Sequence, residues 1–198
     1  MRRLVLLLAA MALALVVASG VALAVTKIGT NGPDTLRGTN GDDNLLGKGG
    51  DDILLALAGD DTLLGGPGKD IVFGGSRAQP LGGHKNLVGG DGNDEVLGGL
   101  GSDNVVGGDG NDLMLGGEFV TPAAKDTLSG GDGNDVIEVL NKPAGKDVVT
   151  CGGGFDRVLA DRADVVAPDC EREFIGLASE EAFFNSIPQS FFEGLNPG

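Results

Sequence analysis

From Gly29 onward the sequence reads as an all-β fold of stacked coils. A nine-residue period, 37 glycines among 198 residues and an aliphatic side chain at the eighth place of each period all lead there. Glycine at nearly a fifth of the chain, where about 7% is ordinary, cannot fill a conventional layered core. Trp and Tyr are absent and aromatics make up 4%. The net charge of -15 argues against a nucleic-acid groove and against anionic membrane surfaces, and it asks for a cationic partner.

Residues 1–24 read as a secretory signal peptide. Arg2 and Arg3 precede an apolar run from Leu4 to Val17, and Ala22-Leu23-Ala24 forms a small-residue exit with cleavage expected after Ala24. The alternative is an uncleaved anchor, since Leu4 to Val25 is just long enough to span a bilayer. Residues 25–28 are expected to be a short linker. The mature chain would then be secreted, with no membrane span and an even pair of cysteines, Cys151 and Cys170, expected as a disulfide.

The repeat aligns as G-G-x-G-x-D-x-U-x, with U aliphatic. Successive units run Gly29–Arg37, Gly38–Leu46, Gly47–Leu55, Ala56–Leu64 and Gly65–Phe73, and later copies at Gly89, Gly107 and Gly130 each open G-G-D-G-N-D. Six glycine-rich residues are expected to turn the chain, because glycine accepts positive φ angles. The following x-U-x is expected as a short strand with its middle side chain inward. The U series runs from Leu36, Leu45 and Leu54 through Met114 and Ile137 to Val158 and Val166.

From Gly29 to about Val166 the chain resembles the RTX (repeats-in-toxin) calcium-binding nonapeptide repeat family. The resemblance implies a right-handed parallel β-roll, two nonapeptides per coil, over residues 29–170. It also implies several bound Ca²⁺ ions. The metal candidates are the sixth-position carboxylates Asp34, Asp43, Asp52, Asp61, Asp70, Asp94, Asp103, Asp112, Asp126, Asp135, Asp147 and Asp156.

Stacked coils lie about 4.8 Å apart, which puts these aspartates in columns. Carboxylates about 5 Å apart repel by roughly 0.8 kcal/mol even in water. A hard cation taking carboxylate and backbone carbonyl oxygens reverses that sign, and such a ligand set suits calcium better than magnesium. Turn preference alone favours Asp and Asn as well, but it does not explain why position six holds Asp while position five varies.

Alternate units fall on opposite edges of such a roll. Units carrying Asp34, Asp52, Asp70, Asp94, Asp112, Asp135 and Asp156 have no insertion. The other edge holds the irregular units 74–88, 116–129 and 139–150, and it places Lys85 where Asp is expected. Tighter calcium binding is expected on the regular edge, with weak or missing sites around Lys85. The ninth-position residues, among them Leu46, Leu55, Leu64, Phe73 and Leu159, are apolar and expected to point outward.

A Cys151–Cys170 bridge is expected to clamp the last coil. Residues 171–198 are expected to form a C-terminal cap or a flexible tail, with Phe183, Phe184, Phe191 and Phe192 as its apolar content. No G-x-S-x-G or H-E-x-x-H occurs and His84 has no obvious nucleophile beside it, so no enzyme is expected. The expected function is secreted calcium binding that couples folding to extracellular calcium. The alternative is an adhesive or structural module that meets a cell-surface or matrix partner through the loop-bearing edge or the Phe-rich tail.

Overall fold

A computed structural model describes residues 23–75, 83–117, 124–140 and 145–175, with the side chains of 172–175 set apart. The expected signal peptide, apart from Leu23 and Ala24, lies outside these residues. So does the Phe-rich tail beyond Ile175.

The described chain is a parallel β-solenoid whose strands alternate between two sheets. The first sheet stacks β1 (Thr26–Ile28), β3 (Asn44–Leu46), β5 (Asp61–Pro67), β7 (Lys85–Asp91), β9 (Asn104–Asp109), β11 (Thr127–Asp132), β13 (Val148–Gly153) and β15 (Val165–Val166). The second stacks β2 (Thr35–Arg37), β4 (Ile53–Leu55), β6 (Ile71–Phe73), β8 (Glu95–Gly99), β10 (Leu113–Gly117), β12 (Val136–Glu138), β14 (Arg157–Ala160) and β16 (Arg172–Ile175). Every pairing between neighbours is parallel, with register partners 18 residues apart where no insertion intervenes, as for Leu45 and Leu63. Two nonapeptides therefore complete one coil.

Period-two alternation explains the core. Positions six and eight face inward while seven and nine face out. Leu45, Leu54, Leu63, Val72, Leu87, Val96, Val105, Met114, Leu128, Ile137, Val149 and Val158 form one continuous buried ladder. Leu36 joins it at the first coil, and Val166 packs against its far end. The ninth-position side chains face out but are mostly half-buried, because the coils above and below shield their flanks. Leu159 departs from the outward expectation and is fully buried.

Three features differ from the sequence reading. The segment 25–28, expected as a linker, contains β1, which pairs with β3. The sheets also continue past residue 170, since β16 pairs with β14 inside the segment assigned to the cap. The first turns keep the expected six residues, as at Gly38–Asp43 and Gly47–Asp52, but later ones are shorter: between β5 and β6 only Gly68, Lys69 and Asp70 lie outside the strands, because Gly66 and Pro67 stay in register with Gly90 and Asp91. Positive φ is concentrated at positions two and four, as at Gly90 (128°) and Gly92 (143°).

The disulfide joins Cys151, buried in β13, to Cys170 just before β16, with Cα atoms 5.1 Å apart. It closes the last described coil.

Candidate metal centre

The edge that carries the chain from the first sheet to the second is uninterrupted. It bears Asp34, Asp52, Asp70, Asp94, Asp112, Asp135 and Asp156, one coil apart. The connections from the second sheet back to the first form the opposite edge, and in sequence they include 76–82, 118–123 and 141–144, which lie outside the described residues. That edge bears Asp43, Asp61, Lys85, Asp103, Asp126, Asp147 and Asp164.

Each column is stitched by its own carboxylates. On the regular edge the amide of Asp34 donates to Asp52 Oδ1 (2.8 Å), Asp52 to Asp70 (2.8 Å) and Asp70 to Asp94 (2.7 Å). The chain continues from Asp94 to Asp112 (2.8 Å), from Asp112 to Asp135 (2.9 Å) and from Asp135 to Asp156 (2.9 Å). Asp156 then donates to Glu171 Oε2 at 3.1 Å, so Glu171 closes the ladder where the repeat motif has ended. The other edge begins with Val25 donating to Asp43 Oδ1 and repeats the pattern through Asp103, Asp126, Asp147 and Asp164.

One oxygen of each aspartate is thereby committed to the neighbouring coil. In most of them the other is buried and has no partner: this holds for Oδ2 of Asp52, Asp70, Asp94, Asp103, Asp112, Asp126, Asp135 and Asp156, whereas Oδ2 of Asp34 and Asp43 accepts the Thr30 and Thr39 amides and that of Asp61 meets the Lys85 ammonium. A buried carboxylate oxygen without a partner carries a large desolvation cost. Burial pushes Asp126 up to about 8 and Asp94, Asp103 and Asp112 to about 7. It raises Asp70, Asp135 and Asp164 to about 6, and moves Asp61 and Asp156 in the same direction. Neighbouring aspartates of the same column add to the rise at Asp94, Asp112 and Asp126. Asp34, at the exposed first coil, is instead lowered by the Thr30 backbone N–H.

Glycine at position one makes room for the spare oxygen. A Cβ at Gly107 would lie 2.3 Å from Asp112 Oδ2 and 2.6 Å from the Gly130 carbonyl oxygen, and Gly65 is placed the same way against Asp70 and Gly89. Spare carboxylate oxygens and backbone carbonyls thus crowd together along the column.

All twelve sequence-assigned aspartates lie in the two columns; eleven are buried, and Asp34 at the first coil is partly exposed. They do not gather into side-chain cages: no group of three His, Cys, Asp or Glu side chains among the described residues is placed to hold an ion. Carboxylates of successive coils, backbone carbonyls and water would have to share the coordination. This all-oxygen donor set fits a hard cation, and the unpartnered Oδ2 atoms are the groups that a bound calcium would satisfy.

Sequence reasoning missed a second ladder. Position five supplies side-chain oxygens to the amide one coil later: Asp42 to Asp60, Asp51 to Lys69, Asp60 to His84, Asn93 to Asn111, Asn111 to Asn134 and Asn134 to Phe155. Ser102 does the same for the Lys125 amide, and the signal was present as recurrent Asp, Asn and Ser, but Pro, Lys and Phe at the same position concealed it.

An acidic parallel solenoid with unpartnered carboxylate oxygens along both edges belongs to the class of stacked-coil repeat proteins. The chain is a member of the RTX calcium-binding nonapeptide repeat family. The family's model matches four times, over residues 28–63, 46–76, 86–119 and 123–139, together about half of the chain. No curated protein and no solved structure matches it.

Proposed function

We propose that the chain is a secreted, non-enzymatic calcium-binding roll in which ions between successive coils couple folding to external calcium. The observation that carries this reading is the run of buried, unpartnered Oδ2 atoms along both edges. Without a counter-charge each must be protonated or left at a desolvation cost. Bound calcium removes that choice, so binding free energy becomes folding free energy. Asp34 through Asp156 on the regular edge and Asp43, Asp103, Asp126 and Asp147 on the other are the proposed ligands, with Asp61 set apart by the Lys85 ammonium at its Oδ2. Magnesium is disfavoured, because stacked coils do not supply its compact octahedron.

Secretion follows from the basic, apolar and A-x-A layout of residues 1–24, and the disulfide is consistent with an oxidising exterior. Among the described residues no helix is long and apolar enough to cross a membrane. The inserted segments and the Phe-rich tail, through which a cell-surface or matrix partner is expected to bind, lie outside the described residues. Isothermal titration of the chelator-stripped chain tests the reading. Several calcium ions should bind with magnesium silent, and equal uptake of both metals, or of neither, would overturn it.

A further inference from the structure

Lys85 occupies a column position that Asp holds elsewhere on its edge, as the register partner of Asp61. Its amide behaves as an aspartate's would, donating to Asp103 Oδ1 at 2.9 Å. Its side chain does not leave the roll: the residue is only 3% exposed. Nζ lies 3.0 Å from Asp61 Oδ2 and also donates to the carbonyl oxygen of Gly59.

Asp61 Oδ2 is the counterpart of the oxygens left without a partner at Asp70, Asp94 and Asp112. The position-four carbonyl of Gly59 belongs to the same turn. A positive charge held between one carboxylate oxygen and one turn carbonyl has the same two donor types that the calcium reading assigns to the ion. We propose that Lys85 is a tethered cation that replaces the inter-coil calcium between β5 and β7, so that this junction closes first as calcium rises. The inference rests on the calcium reading and adds to it a built-in exception with a role in assembly.

The physical advantage is concentration. An ammonium fixed to the chain meets Asp61 at an effective concentration that the medium's calcium does not set. In a solenoid, stability is a sum over units and junctions, and folding propagates from whichever junction forms most readily. Lys85 also leaves a mark on the backbone. Having no side-chain acceptor, it cannot receive the Asp61 amide, which donates to the His84 carbonyl at 3.1 Å instead. A carboxylate at this position would supply both the missing acceptor and a spare oxygen.

The test uses the chain with its disulfide intact, as wild type, Lys85→Met and Lys85→Asp. Calcium stoichiometry is read by titration, and hydrogen exchange of strand amides is followed as calcium is raised. In the wild type, β5 and β7 amides should gain protection at lower calcium than those of β11 and β13. Lys85→Met should lose that lead without binding a further ion, and Lys85→Asp should lose it and bind one additional calcium ion. A wild type without the lead, a Lys85→Met variant that keeps it, or unchanged stoichiometry in Lys85→Asp would each overturn the proposal. A wild type that is folded and takes up no calcium would defeat the underlying metal reading. Its melting midpoint in chelator against that of Lys85→Met would then judge the ion pair separately, an unchanged midpoint removing it.

Discussion

Asp94 donates its amide to Oδ1 of Asp112, one coil further on, at 2.8 Å, while Oδ2 of Asp112 stays buried without a partner. The same carboxylate is therefore a structural acceptor through one oxygen and a metal ligand, in our reading, through the other. The two roles separate on substitution. Asp112→Asn keeps an acceptor for Asp94 and removes the charge, so calcium uptake should fall while the ion-free chain is not destabilised. Asp112→Ala removes both, and should also cost about 1–3 kcal/mol from the orphaned amide. Titration and melting of the pair check this, and identical behaviour would contradict the division of roles.

The ion-free chain should be stabilised by acid. Burial raises Asp70 and Asp135 to about 6, Asp94, Asp103 and Asp112 to about 7, and Asp126 to about 8. Each binds its proton more tightly folded than unfolded, so its contribution is complete below about pH 4 and is lost as pH rises through those values. Melting in chelator from pH 4 upward should show a midpoint that falls as pH rises through 6, with the transition lost near neutral pH. A flat or rising profile would argue against buried, unpaired carboxylates.

Lys48 holds φ at 85° at position two, where Gly66, Gly90 and Gly108 stand in other units. A side chain in that region costs about 1–2 kcal/mol, partly offset by the greater unfolded-state freedom of glycine. Lys48→Gly should therefore raise stability in saturating calcium by about 0.5–1 kcal/mol, and Lys48→Ala should not. Denaturant melts of the two variants decide the matter.

Reduction of Cys151–Cys170 should cost about 3 kcal/mol if loop closure dominates. The loss should be concentrated at β13 to β16, where Glu171 ends the regular-edge ladder. Hydrogen exchange with and without reductant checks the location. Protection lost evenly along the roll would contradict the clamp.

If the signal peptide is cleaved after Ala24, Val25 becomes the N-terminus. Its nitrogen already lies 2.7 Å from Asp43 Oδ1, so the new ammonium would start the interrupted edge with a charge-assisted bond. N-terminal sequencing of exported protein should begin at Val25, and a start elsewhere would dissolve that pairing.

The roll was legible because its signals are periodic. The eighth-position ladder from Leu36 to Val158 and the sixth-position aspartates recur at fixed spacing, and both landed in the core and columns expected of them. What was not legible depends on neighbours rather than period. Thr26–Ile28 becomes a strand only because β3 offers an edge, and β16 forms beside β14 although its residues break the repeat. Coil stacking at the strand spacing places the aspartates in columns but gives no hint that Oδ1 is taken by the adjoining coil's amide. Nor does spacing alone reveal that the Lys85 side chain turns inward to Asp61.

The central claim is that calcium and folding are one event, and circular dichroism during calcium titration of the chelator-stripped chain addresses it most directly. The account predicts a largely unfolded spectrum near neutral pH that converts cooperatively to β structure with calcium and not with magnesium. A chain already rich in β structure in chelator at that pH, and unchanged by calcium, would contradict it.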